Sequence, residues 1–215
     1  MSVTEIMAVV TGAASVWLLA NNRVVGWWLV LVSVTLFGIV FFQVRLYAEV
    51  GIQAFYFVTS LQAIRIWMAG GADHAPRPVT HAPGGVLRLT VPIFLVGWGA
   101  LWFLLVRIGG AAPMWDALTT VMSLTAHVYL MMRYVDSWKL WIAVDVIYVP
   151  LYVSRDLELT AALYVVYLLM SIKGLREFRE AAAGVGRAGV KVAVSGVDNQ
   201  GHDPVESPDP TPPRE

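Results

Sequence analysis

Apolar residues run along the chain in seven long blocks, at about 3–20, 24–44, 50–69, 88–108, 114–134, 138–154 and 157–175. Each approaches the roughly 20 residues a helix needs to cross a hydrocarbon core. Polar or turn-forming residues punctuate them: Asn21, Asn22 and Arg23; Arg45 and Glu49; a Pro- and Gly-rich stretch at 70–85; Gly109, Gly110 and Pro113; Asp136; Arg155 and Asp156. The blocks lack β-barrel alternation, and an open sheet leaves backbone groups unpaired in lipid, so they predict helices.

Inside the blocks the polar positions keep helical phase. On the sixth, Trp138, Trp141, Asp145, Tyr148 and Tyr152 follow one another at three- and four-residue steps and make one stripe. Thr160, Tyr164, Tyr167 and Ser171 do so on the seventh, Asp116, Thr120, Ser123 and His127 on the fifth, and Gln53, Tyr56 and Ser60 on the third. Polar groups in a membrane face the bundle or an aqueous path. Four helices therefore predict one cavity with aromatic walls and hydrogen-bonding groups.

The chain also matches itself at an offset of 111. Glu5 pairs with Asp116, Trp27 with Trp138, Leu46 with Leu157, Tyr56 with Tyr167, and the stretch from Ser60 to Trp67 with that from Ser171 to Phe178. The offset lays spans one, two and three on spans five, six and seven and leaves span four as a connector. The expected fold is an all-α membrane protein: seven transmembrane helices in a parallel-repeat 3+1+3 bundle. Residues 1–181 form its seven-helix domain, with repeat one at about 3–69, the connector at 88–108 and repeat two at about 114–180. Residues 182–215 are expected to be a disordered cytoplasmic tail, because the acidic, Pro-rich DNQGHDPVESPDPTPPRE lacks aromatic residues.

Composition narrows the function. Of 215 residues 58% are hydrophobic and 14% charged, and mean hydropathy is +0.66. That excludes an ordinary soluble domain, which carries roughly 25% charged residues. Fifteen basic residues cancel fifteen acidic ones with no basic stripe, which argues against a nucleic-acid partner. Without cysteine there is no disulfide or thiolate chemistry. No P-loop, HExxH or GxSxG motif occurs, and no cofactor is implied. An intramembrane enzyme and a structural or signalling membrane subunit stay as rivals to a carrier. Met1 to Val10 holds no Lys or Arg, so the first span reads as retained rather than as a signal peptide. Basic residues gather on the side of Arg23, Arg77, Arg88, Arg133, Lys139 and Lys173, against Arg45, Arg107 and Arg155 on the other. The positive-inside rule then places the N-terminus outside and the C-terminus in the cytoplasm.

Single residues carry two readings each. Asp145, mid-span, is either a packing carboxyl held by hydroxyls or a ligand or proton-linked contact, and intramembrane acids default to function. Trp141 shares its face and favours the cavity; Trp138, near the helix end, reads equally as an interfacial belt residue. His127 reads as a packing histidine or a proton carrier. Asp116 and Glu5 read as helix N-terminal acids and Arg65 as snorkelling. His74, His81 and His202 lack metal-ligand spacing.

The stretch Leu46-Tyr47-Ala48-Glu49 with Gln53, Phe55 and Tyr56, the segment Trp138-x-x-Trp141-x-x-x-Asp145, then Pro150-Leu151-Tyr152 and Leu159 to Tyr164, resembles the PnuC-type vitamin transporters. The resemblance covers residue 5 to about 180 and is most specific at Trp138–Asp145. It implies a SWEET-like seven-helix core in the plasma (inner) membrane. It implies facilitated diffusion of nicotinamide riboside, or of riboflavin or thiamine, with a cytoplasmic kinase trapping the substrate by phosphorylation. A homo-oligomer is implied too. Carried over by motif, Trp141 and Asp145 line the site with Tyr148, Tyr164, Tyr167 and Gln53 nearby; Tyr56 and His127 join them from the stripe analysis. Two stretches depart from the family pattern, Ala63–Trp67 and Gly174–Phe178, the latter with Phe where Trp is usual. They bear on the substrate rather than the fold.

Overall fold

The computed structural model describes residues 3–43, 45, 47–109, 112–154 and 158–198, by backbone alone at 47, 48, 159 and 185–198. It is all helical: α1 Val3–Ala20, α2 Val25–Gln43, α3 Tyr47–Ala69, α4 Gly84–Arg107, α5 Pro113–Met131, α6 Asp136–Val153 and α7 Glu158–Asp198, with a short 3-10 turn at Ala72–His74. The ends fall within a few residues of the blocks, except the last. Helix α7 runs on to Asp198, past the residue-182 boundary expected for the tail. From Glu180 the chain is rich in Ala, Val and Gly and meets no proline before Pro204. Residues 199–215 lie outside the described residues, as do Leu46, Arg155, Asp156 and Leu157.

Three helices, α1, α2 and α4, are long and apolar enough on their own to cross a membrane. The others carry the polar stripes. Packing sorts the seven into a ring and an outlier. Helix α1 packs on α2, α2 on α3, α3 on α5, α5 on α6, α6 on α7, and α7 back on α1. Helix α4 packs on α5 alone among the helices and buries no residue. Its flanks stay apolar and exposed, Leu89 at 64% and Val96 at 71%, as suits a hydrocarbon surround.

Close approach holds the ring together where area burial against lipid gains little. The Ser33 hydroxyl of α2 donates to the Ala8 carbonyl of α1 at 2.8 Å. A Cβ on Gly26 would lie 2.6 Å from the Leu19 side chain, and one on Gly174 would lie 2.5 Å from the Trp138 ring, so both helix pairs need glycine there.

The segment after α3 is pinned on the α5–α6 turn. Thr80 donates its N–H to the Arg133 carbonyl and accepts from the Val135 N–H, and the Ala82 N–H donates to Asp136 Oδ2 at 2.9 Å. Asp136 also meets Lys139 at 2.6 Å and His81 at 3.5 Å. Burial opposes ionisation of Asp136, but the Lys139 and Ala82 bonds outweigh it and hold the carboxyl below its usual range.

Two outcomes follow. Gly174→Ala is expected to destabilise by about 1–3 kcal/mol through overpacking against Trp138, seen as a lower Tm in detergent. Asp136→Asn is expected to speed proteolysis at 70–83. In the parent that protection is present above the ordinary carboxylate pKa and is lost as pH falls through the depressed value. An unchanged Tm, or equal cleavage rates at neutral pH, contradicts the respective packing account.

Candidate functional site

The ring encloses a cavity of about 620 Å³, within the range of small-molecule sites. All six ring helices line it and α4 does not. Trp141, Asp145, Tyr148, Tyr164, Tyr167, Gln53, Tyr56 and His127 all stand on its wall. Thr120, Ser123, Trp138, Tyr152 and Ser171 from the same stripes join them, whereas Asp116, Ser60 and Thr160 do not.

Asp145 is 3% exposed, and the Ser171 hydroxyl donates to its Oδ2 at 3.0 Å. Among the described residues nothing donates to Oδ1, so one carboxyl oxygen is left for a ligand. Around it α6 and α7 build a tyrosine wall. Tyr148 stacks on Tyr152 at 5.3 Å, Tyr164 lies 4.8 Å from Tyr148 and 5.1 Å from Tyr152, and Tyr167 stands edge-on to Tyr164 at 5.7 Å. Helical phase on the two helices sets this array, because each ring sits a turn from the next.

The α3–α5 seam forms the facing wall. His127 Nε2 is 3.0 Å from Thr59 Oγ1, whose single proton goes to the Phe55 carbonyl at 2.7 Å. The hydroxyl therefore accepts from Nε2–H, and His127 keeps an acceptor at Nδ1. Its ring lies 4.6 Å from Tyr56 and edge-on to Trp27 at 5.3 Å. This is the packing arrangement, with the imidazole still on the cavity wall.

Lining positions come in pairs separated by 111 residues: Gly12 and Ser123, Val16 and His127, Trp27 and Trp138, Val30 and Trp141, Val34 and Asp145, Phe37 and Tyr148, Gln53 and Tyr164, Tyr56 and Tyr167. The two sets face one cavity but differ in chemistry. In these pairs the later members supply the Asp145 carboxyl, the imidazole and most hydroxyls; the earlier ones are three valines, a phenylalanine and a glycine beside Trp27, Gln53 and Tyr56. Ser60, the counterpart of Ser171, is fully buried with no partner for its hydroxyl. Val34, the counterpart of Asp145, offers no acceptor.

The stripes missed Trp27 and Thr59. Trp27 is fully buried, and its pairing with Trp138 at the offset was the signal available. Trp138 is 1% exposed, so the belt reading gives way to a core position against Phe178 at 5.6 Å. No cluster of three or more metal-ligating side chains occurs among the described residues.

Comparison with known proteins bears on this geometry. A family model described as nicotinamide mononucleotide transporter matches residues 2–180. The nicotinamide riboside transporter PnuC of Escherichia coli (strain K12) is 22% identical over 198 residues, covering 80% of this chain and 83% of that protein. The protein of the same name from Neisseria mucosa is 28% identical over 181 residues, covering 78% and 68%. A crystal structure of the vitamin B3 transporter PnuC superposes with a TM-score of 0.64 at 24% identity, over 84% of this chain and 82% of that one, which shows the fold. The family match spans every helix that lines the cavity, and the chain belongs to the nicotinamide mononucleotide transporter family, as a multi-pass membrane protein.

Proposed function

We propose that the chain carries nicotinamide riboside by facilitated diffusion, with the cavity as its binding site. One observation carries the reading: aromatic rings and a buried carboxyl share a cavity whose described wall bears Glu49 and Asp145 but no Lys or Arg. A cationic pyridinium ring gains about 0.5–2 kcal/mol from each suitable aromatic face. Trp141, Tyr148, Tyr164 and Tyr167 offer such faces. Asp145 complements the positive charge or accepts from a ribose hydroxyl, and Gln53 and the tyrosine hydroxyls serve the rest of the sugar. Tyr56 and His127 close the opposite wall, the imidazole accepting at Nδ1.

The same wall discriminates against the mononucleotide. A phosphate would enter beside two carboxyls without a cationic partner, and an unpaired buried charge is strongly unfavourable. Phosphorylation by a cytoplasmic kinase after entry thus converts cargo into a species the cavity rejects, which makes net uptake directional without a coupling ion. Thiamine, also cationic, fits the same groups; neutral riboflavin relies on stacking and hydrogen bonds alone.

The architecture in this reading is seven spans in a parallel 3+1+3 arrangement. The paired cavity positions and the ring order support it. So do the matching turns: Asn22 and Arg133, 111 apart, bond back to Leu19 and Leu130 at 2.9 Å each and have φ of 54° and 58°. Basic-residue asymmetry supports an N-terminus outside and a C-terminus inside the plasma (inner) membrane. The bare apolar flank of α4 suits lipid and a second copy, in line with a homo-oligomer. Transport rather than catalysis is the role.

Asp145→Ala is expected to lower uptake of labelled nicotinamide riboside about tenfold or more, and Trp141→Ala several-fold, with normal insertion in the membrane. Wild-type uptake in both removes the site. In parallel assays and thermal-shift titrations, nicotinamide riboside should outcompete riboflavin and thiamine and raise Tm, with the mononucleotide doing neither. Preference for another vitamin replaces the substrate and keeps the site.

A further inference from the structure

At one end of the cavity, toward the C-terminal ends of α2 and α6, the lining residues Phe41, Glu49, Ile52 and Tyr152 are half-buried, like most of its wall. At the other, where α1 turns into α2 and α5 into α6, Trp27, Trp67, Trp138 and Phe178 are between 0% and 3% exposed. Trp27 stands edge-on to Trp67 at 5.7 Å, Trp138 edge-on to Phe178 at 5.6 Å, and Trp67 meets Phe178 at 6.0 Å. Trp67 and Phe178 are themselves 111 apart, so this plug sits where the two helix triplets mirror one another.

Above the plug the triplets are tied by side chains that no binding role uses. Arg133 Nη2 donates to Asn22 Oδ1 at 2.8 Å, and these two are again 111 apart. Lys173 Nζ donates to Asn21 Oδ1. The cations also lie on aromatic faces, Arg133 over Trp67 at 4.8 Å and Lys173 over Trp17 at 3.9 Å. Every one of these contacts joins the α1–α3 side of the ring to the α5–α7 side.

We propose that Asn21, Asn22, Arg133 and Lys173 form a polar latch over the aromatic plug, and that its opening sets the rate at which bound cargo leaves at this end. The proposal rests on the transport reading above. Cargo in the cavity reaches this side only if the plug parts, and the plug cannot part while the hydrogen bonds spanning it hold. Asparagine oxygens facing cations make a tie that water can replace, whereas a carboxylate would close it with an ion pair.

Asn22 allows a clean test because its φ is 54°, which glycine adopts without strain and aspartate tolerates. Asn22→Gly removes the Arg133 bond and leaves Lys173 on Asn21; Asn22→Asp turns the Arg133 bond into an ion pair. The chain has no cysteine, so Val30→Cys on the cavity wall gives one reporter thiol for membrane-impermeant reagents applied to vesicles of either orientation. In the Val30→Cys parent, labelling is expected mainly from the end opposite the plug. Asn22→Gly should raise labelling from the latch side about tenfold. Asn22→Asp should suppress it and slow labelled nicotinamide riboside uptake several-fold, while ligand-induced Tm shifts stay at the parent value. Equal labelling from both sides in all three chains, or parent uptake in Asn22→Asp, overturns the latch. Labelling that changes side as expected in chains that carry no vitamin keeps the latch and sinks the transport reading instead.

Discussion

Lipid offers no hydrogen bonds, and the whole arrangement follows from that. A carboxyl, an imidazole and a set of tyrosine hydroxyls placed along transmembrane helices must turn inward and find one another. Asp145 with Ser171 and His127 with Thr59 are the two pairs that do so most directly. Each joins two helices, α6 to α7 and α3 to α5, so the contacts that shape the site also close the ring. Helix α4 carries no such group toward the cavity, and it stands outside.

Chemistry on the wall is uneven, and that unevenness gives the cavity a direction. A symmetric cavity would hold a small vitamin in two poses. Here valine and phenylalanine on α1 and α2 confront Asp145, Trp141 and the tyrosines on α6 and α7. Polar groups are thereby concentrated on one side, while Ser15, Ser33, Glu49, Gln53 and Tyr56 stand among apolar residues on the other.

Much of this could be read from the chain because helical phase is a local property. Asp145 reveals its face through Trp141 and Tyr148, one turn away on either side, whatever the rest of the bundle does. His127 was equally legible as a position, but its partner was not. Ser60 kept the stripe of Gln53 and Tyr56, yet it is Thr59, one residue back, that reaches the imidazole, since two neighbouring residues of one helix face different neighbours. Trp27 and Trp28 look alike in sequence; only packing buries the first and leaves the second 53% exposed. The docking of Thr80, His81 and Ala82 on Asp136 is a long-range contact with no periodic trace. At the far end, the Pro-rich run lies beyond Asp198, the last described residue of α7.

The orphaned hydroxyl of Ser60 has a consequence of its own. A buried hydroxyl without a partner costs about 1–3 kcal/mol, yet it lies one triplet away from a serine in the same setting that is fully satisfied. Position 34 carries the difference: its valine offers no acceptor, where the counterpart Asp145 accepts from Ser171. The two triplets therefore share a backbone plan but not a polar one, and the first carries the unmatched hydroxyl.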